Sequence, residues 1–298
     1  MELQAHQEEF RQRGLNVAAI SYDSVAVLKD SAARRGITFP LLSDEDSRVI
    51  RAFGILNENA PQDSFVYGVP NPGTYVLDAA GVVTAKYFEE DYHERFTASD
   101  ILVRQFGANP APEPGVRETR HLRLTAASSA TMARGGQKIA LVLNIELKPG
   151  MHVYAPGVRG YQPVVWEMLT AESEASAAGK AAGEAGRPGE ARLPGRLFTE
   201  VAWPAPKMLH LKAIGETVPV YEKKLRLVRE VTVPGDKRLR EVTSPSGVLT
   251  LEGAFRYQAC DAKTCYNPVA LPLVFSIQIL KHDTERVPAE LRRQARKQ

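Results

Sequence analysis

The chain has 298 residues, with 38 basic against 35 acidic side chains and a net charge of +3. That length suggests two domains at roughly 100–200 residues each, and so small a charge excess offers nucleic acid no footprint. At 44% hydrophobic and 24% charged, the composition excludes wholesale disorder, and no apolar stretch approaches the ~20 residues of a membrane span.

In chain order, Leu3 and Phe10 with a stop at Gly14 predict the remaining part of a helix. Val17 to Ile20 reads as a strand buried on both faces. Ser24 is the N-cap of a helix that carries Val25, Leu28 and Ala32 inward and closes at Gly36. Phe39 to Leu42 is a second strand. Ser43 or Asp44 then starts a helix through Val49, Ile50 and Phe53, stopped by Gly54. Thr74 to Leu77 and Val82 to Tyr87 flank a turn over Asp78 to Gly81, a hairpin signal. Thr97 caps a helix through Ile101, Leu102 and Phe106. Alternating helices and strands of this kind predict an α/β domain over residues 1–107.

Residues 107–115 hold three prolines and two glycines, so an extended linker is predicted over 108–118. Beyond it the period changes to two. Residues 120–124, 139–147, 225–228, 248–252 and 271–279 all read as strands, with no amphipathic helix among them. An all-β sandwich over 119–280 is the expectation. Ala171 to Gly195 has little to bury beyond alanine and reads as a solvated loop. A basic tail follows at 281–298, crowded at Arg292, Arg293, Arg296 and Lys297.

The only two cysteines are Cys260 and Cys265, too few for a disulfide framework. If Asp261 to Thr264 form a hairpin loop, the pair sits directly opposite across two strands, within reach of a disulfide. Continuing that register places Phe255 opposite Ala270 and Leu251 opposite Val274. The apolar face of the return strand, however, is Leu271, Leu273 and Phe275. A one-residue slip is therefore expected near Asn267 and Pro268. Closing so small a loop contributes roughly 2 kcal/mol on a chain-entropy view, less than a long-loop staple gives. Lys263 would lower a neighbouring thiol pKa and Asp261 would raise it. Spacing alone leaves a redox pair and a structural bridge both open. No second Cys pair or closely spaced His pair supplies zinc ligands, and the histidines, His93 beside Glu89, Glu90 and Asp91 included, show no metal spacing. No metal or cofactor is implied.

Tyr257-Gln258-Ala259-Cys260 and Cys265-Tyr266-Asn267-Pro268 resemble the double-cysteine motif of the N-terminal domain of the thiol:disulfide interchange protein DsbD. The likeness extends upstream to residues 148–154 and 217–227. It implies an immunoglobulin-like sandwich whose cysteines shuttle between dithiol and disulfide, with Cys265 attacked first. Tyr154 and His152 match aromatic positions beside that family's disulfide, and Tyr257, Tyr266 and Lys263 complete the supporting set. The counterpart of the family's cap loop is Lys212 to Glu216, without an aromatic cap residue. Partners would be thioredoxin-like proteins or a membrane electron donor, in the periplasm or another extracytoplasmic space. The visible start, Met1-Glu2-Leu3-Gln4, shows no signal peptide.

Residues 68–78, Gly68 to Asp78, resemble the thioredoxin-like AhpC/TSA redoxins, with Pro72, then Pro70, matching the cis-proline of that fold. Redoxins place a reactive cysteine at the start of the helix after the first core strand; Met1 begins partway along that helix, and no cysteine precedes Cys260. The resemblance therefore implies an incomplete domain, lacking a central strand and poorly stable alone. The leading expectation is a thiol:disulfide oxidoreductase working through Cys260 and Cys265. One alternative is a non-catalytic interaction module with a structural disulfide. The other is an AhpC/TSA-type peroxidase, if upstream sequence supplies the thiol.

Overall fold

Capping and turn residues punctuate short apolar runs through the first hundred residues, and the elements follow that punctuation. The computed structural model describes residues 2–59, 61, 67–88, 94–110, 116–173, 192–211, 215–282, 285 and 287–291. They form two compact units, Met1–Leu102 with His282–Gln298, and Val103–Lys281.

The first unit runs α1 (Glu2–Ala5), α2 (Gln7–Gln12), β1 (Ala19–Ser21), α3 (Val25–Arg35), β2 (Leu41–Ser43), α4 (Arg48–Ala52), β3 (Gly73–Leu77), β4 (Val83–Phe88) and β5 (Arg95–Phe96). Helix α5 (Ala98–Phe106) carries the chain onward into the second. Ser24 caps α3 by accepting from the Val27 amide, and Gly36 ends it in the left-handed region at φ 59°. Thr97 Oγ1 accepts from the Asp100 amide at the start of α5. Asp44 acts from further upstream than predicted: its carboxylate accepts from the Val49 and Ile50 amides, while α4 itself begins at Arg48. β3 and β4 pair antiparallel around Asp78, whose Oδ1 accepts from Ala80 and Val82.

Three expectations for this unit are corrected. β1 is not buried on both faces: among the described residues it pairs with β2 alone, in parallel, and Ile20 is 36% exposed. Val25 does not point inward; it is 67% exposed at the first turn of α3. Pro72 does not follow a cis bond, since no cis peptide occurs among the described residues. Leu56 bridges Pro70, and the amides of Asn57 and Asn71 donate to Val69 and Ile55. Those contacts hold the chain on either side of Pro70, and β3 begins at Gly73, directly after Pro72.

The second unit is built from strands: β6 (Arg117–Glu118), β7 (Leu122–Ser128), β8 (Met132–Ala133), β9 (Gln137–Leu147), β10 (His152–Tyr154), β11 (Val165–Met168), β12 (Lys207–Leu211), β13 (Glu216–Glu222), β14 (Lys224–Thr232), β15 (Val248–Tyr257), β16 (Ala259–Cys260) and β17 (Val269–Ile279). One sheet is ordered β14-β9-β7-β6 and another β11-β15-β17-β8. Their alternating inward residues, Leu122, Leu124, Leu141 and Leu143 from one and Leu249, Leu251, Phe255 and Phe275 from the other, form a single buried cluster. This is the sandwich that the period-two pattern predicts. A third sheet, β12-β13-β10-β16, carries the cysteine segment. Gly253 allows β11 and β15 to close up, because a Cβ there would sit 2.3 Å from the Glu167 carbonyl oxygen.

A helix that the sequence reading excluded is present: α6 (Asp236–Val242) follows Pro234 and Gly235, with Leu239 buried. Of the predicted linker, residues 111–115 lie outside the described residues. So do residues 174–191 of the Ala171–Gly195 loop, the acidic cluster with His93, and the basic tail from Arg292 onward.

Candidate active site

Strand β15 reaches Tyr257 in register with β17, pairing Leu251 with Phe275, Phe255 with Leu271 and Tyr257 with Val269. Past Gln258 the pairing changes. Cys260 faces Cys265 as an antiparallel bridge, the Asp261 amide donates to the Thr264 carbonyl, and the Tyr266 amide donates to the Ala259 carbonyl. The ladder has slipped by one residue between Tyr257–Val269 and Cys260–Cys265, as the two apolar faces required. The slip lets Leu271, Leu273 and Phe275 face the core while the cysteines remain opposed.

The two sulfurs are bonded, with the Cα atoms 4.1 Å apart. Their surroundings differ sharply. Cys260 is 1% exposed and packs with Tyr154, Val218 and Val220, whereas Cys265 is exposed. The Tyr154 hydroxyl lies 3.5 Å from each sulfur. A bonded sulfur has no proton, so the hydroxyl is the donor. Burial, then the nearby Tyr161 and Glu216, raises the Tyr154 pKa and keeps that proton in place.

The loop between the cysteines is organised by Asp261. Its Oδ1 accepts from the Lys263 and Thr264 amides at 2.7 Å, and its Oδ2 accepts from the Tyr266 hydroxyl at 2.7 Å. The Tyr266 bond, then the two amides, holds this carboxyl below its ordinary range, with Lys263 adding a smaller attraction. Lys263 itself is exposed at the loop tip. The negative charge beside Cys260 is thus already spoken for by three donors.

Tyr266 is flanked on its other side. Its ring lies 4.7 Å from the His121 ring, with the Arg120 guanidinium 4.6 Å over it, and Gln258 Nε2 donates to its carbonyl. His121 accepts from Arg120 Nε, and burial, then Arg120, lowers its pKa. Tyr257 belongs to a different surface from the sulfurs: it packs in the main core, with its hydroxyl 2.9 Å from Thr119 Oγ1 and 3.5 Å from His121 Nδ1. His152 pairs with Cys260 across β10 and β16 and meets the Tyr154 ring edge-on at 5.6 Å.

The fold therefore gathers Tyr154, His152, Tyr266 and the cysteines, while Tyr257 lies in the main core and Lys263 faces solvent. Sequence reasoning missed Tyr161, which stacks on Tyr154 at 4.4 Å and donates to Glu216. The available signal was a lone aromatic between Gly160 and Pro163. It also missed His121, which lies in the predicted strand at 120–124 and shows no metal spacing. Residues 212–214 of the expected cap loop lie outside the described residues.

Residues 121–271 match the family model described as thiol:disulfide interchange protein DsbD, N-terminal. The chain belongs to this DsbD N-terminal family. Residues 1–86 match the model of the AhpC/TSA family, in keeping with a thioredoxin-like first part. Among solved structures, the N-terminal periplasmic domain of ScsB from Proteus mirabilis is similar at 13% identity, over 57% of this chain and 52% of that one, with a TM-score of 0.34. The reduced Neisseria meningitidis DsbD N-terminal domain is 12% identical over 51% and 85%, with a TM-score of 0.29. A putative peroxiredoxin of Mycobacterium tuberculosis is 40% identical over 80 residues, 26% of this chain. Alkyl hydroperoxide reductase E of Mycobacterium bovis is 36% identical over 84 residues, 28% of this chain. The chain spans about half the length, 50%, of both of these curated relatives. DsbD-type and redoxin-type regions with a bonded cysteine pair support thiol–disulfide redox chemistry in general. No helix among the described residues is long and apolar enough to cross a membrane.

Proposed function

We propose that the protein carries electrons through the Cys260–Cys265 pair by exchange with partner thiols, with Cys265 the sulfur attacked. The observation that supports this is the asymmetry of the pair: an exposed Cys265 bonded to a buried Cys260, with one hydroxyl donor reaching both. A partner thiolate approaching in line with the bond meets Cys265 Sγ first. The new bond joins the partner to Cys265, the Cys260–Cys265 bond breaks, and Cys260 leaves as a thiolate toward the Tyr154 hydroxyl. The partner's second thiol then displaces Cys265, leaving a dithiol here and a disulfide on the partner, with two electrons transferred. The reverse sequence delivers those electrons to an acceptor disulfide. Tyr154, His152, Tyr266, Tyr257 and Lys263 are the supporting residues in this reading.

The partners are thioredoxin-like proteins or a membrane-bound electron donor, and the compartment is the periplasm or another oxidising space. The given sequence holds no cysteine before Cys260, so within it exchange runs through Cys260 and Cys265 alone.

The test is redox titration against glutathione with alkylation of free thiols. A midpoint well above about −300 mV marks an exchange site, and one below it marks a structural clasp. The single-cysteine variants separate the two sulfurs. Cys260→Ser should accumulate a mixed disulfide with a thioredoxin-like partner through Cys265, whereas Cys265→Ser should form at least tenfold less. Equal trapping by both variants would overturn the assignment of Cys265.

A further inference from the structure

We propose that His152 is the proton partner of Cys260: its imidazole accepts the Cys260 thiol proton in the reduced pair and so supplies the thiolate that closes the disulfide again. This rests on the exchange reading above and adds the group that activates the buried sulfur.

Placement carries the inference. His152 stands directly opposite Cys260 on adjacent strands, and directly opposed residues project to the same face with Cβ atoms about 4.5–5.5 Å apart. Tyr154, two residues along β10, shares that face and reaches both sulfurs. The imidazole is 5% exposed, and its Nε2 has no hydrogen-bond partner among the described residues. Buried polar atoms are almost always paired, and one left open asks for a reason. With the cysteines bonded, neither sulfur has a proton to offer. Reduction puts an S–H on Cys260, directly across the strand pair from this ring, whose unpartnered nitrogen accepts it in the Nδ1–H tautomer.

The charges around the ring suit a group that takes up a proton at that moment. Glu222 pairs with His152 in register on β13, and Asp261 follows Cys260 directly; both favour the imidazolium. Lys207, from β12, is bonded to Glu222 at 2.7 Å and offsets part of its pull. Burial outweighs these attractions in the oxidised protein and lowers the His152 pKa, so the ring is neutral and able to accept. Tyr154 is uncharged. Without an acceptor, a thiol in so apolar a site would hold its proton to higher pH.

An acceptor protein's disulfide has been attacked by Cys265, giving a mixed disulfide and one acceptor thiolate. The Cys260 proton moves to His152 Nε2. The Cys260 thiolate attacks Cys265 Sγ, the Cys260–Cys265 bond forms, and the bond from Cys265 to the acceptor breaks. The acceptor leaves as a dithiol carrying two electrons, and the imidazolium releases its proton through solvent.

The experiment uses the full chain. In Cys265→Ala, the rate of Cys260 alkylation by iodoacetamide is followed against pH, with and without His152→Gln. Loss of the imidazole should move the profile up by at least one pH unit and cut the rate at pH 7 about tenfold. As a check independent of the variant, the His152 ring proton is titrated by nuclear magnetic resonance in oxidised and reduced wild type. Its midpoint should rise on reduction. An unmoved alkylation profile together with an unchanged midpoint overturns the proposal, and the exchange reading survives if Cys260→Ser still traps a partner. Failure of the wild type to exchange with any dithiol overturns both.

Discussion

At the scale of single residues, the site is decided by which atoms of the pair are covered and which donors reach them. The Tyr154 hydroxyl is the clearest case, because it touches both sulfurs while its ring is held by the Tyr161 stack. Tyr154→Phe removes one donor and leaves that stack intact. A hydrogen bond of this kind is worth about 1 kcal/mol, so attack of dithiothreitol on the disulfide should slow roughly fivefold, while the unfolding midpoint in urea stays close to wild type. A large loss of stability with an unchanged rate would show that Tyr154 is a packing residue alone. Tyr154, Tyr266 and the cysteines were legible in the sequence because the motif residues are contiguous with the pair or lie in a short matching run. His121 and Thr119 were not, because their contacts with Tyr266 and Tyr257 join distant stretches of the chain; Tyr161 was not, because it stacks on Tyr154 from a bend that has no period to read.

At the scale of elements, the slip between β15–β17 and the cysteine bridge was readable from side-chain alternation alone. Two apolar faces and one fixed pair of cysteines leave only one way to reconcile the register. β10 was not readable as a strand: three residues between Gly150 and Pro156 are too few to show a period. Helix α6 escaped for a similar reason, since its seven residues bury little besides Leu239. The loop between the cysteines depends on one carboxylate. The Tyr266 hydroxyl, then the Lys263 and Thr264 amides, depress the Asp261 pKa. A folded pKa below the unfolded value near 3.9 means the loop's stabilisation is complete above the unfolded value. It is lost as pH falls through the folded one. The amide resonances of Lys263 and Thr264 should therefore move together in acid with the Asp261 titration. Those of Val142, buried in β9, should remain still until the chain unfolds. Loop amides insensitive to acid down to unfolding would remove Asp261 from this role.

At the scale of the whole molecule, the two units differ in how much each strand is supported. In the sandwich, β9 lies between β14 and β7, and Ile139 to Leu143 are all fully buried. In the first unit, β1 and β2 form a two-stranded parallel sheet whose central residues, Ile20 and Leu42, are 36% and 51% exposed, and no residue of α3 is buried. Sequence periodicity placed these elements correctly but could not foresee their exposure, because burial depends on how many neighbours a strand has. Local opening is easiest where few apolar contacts hold a segment closed. Parallel pairing is also slightly weaker per residue than antiparallel. In the intact chain at neutral pH, hydrogen exchange at the amides of Ile20 and Leu42 should run at least a hundredfold faster than at Leu141 and Leu143. The cysteine bridge should change this little, since reduction loosens Cys260 and Cys265 without touching either sheet's interior. Equal protection across the two sheets would mean that the first unit draws support from contacts beyond its own exposed strands, and its low stability would have to be abandoned.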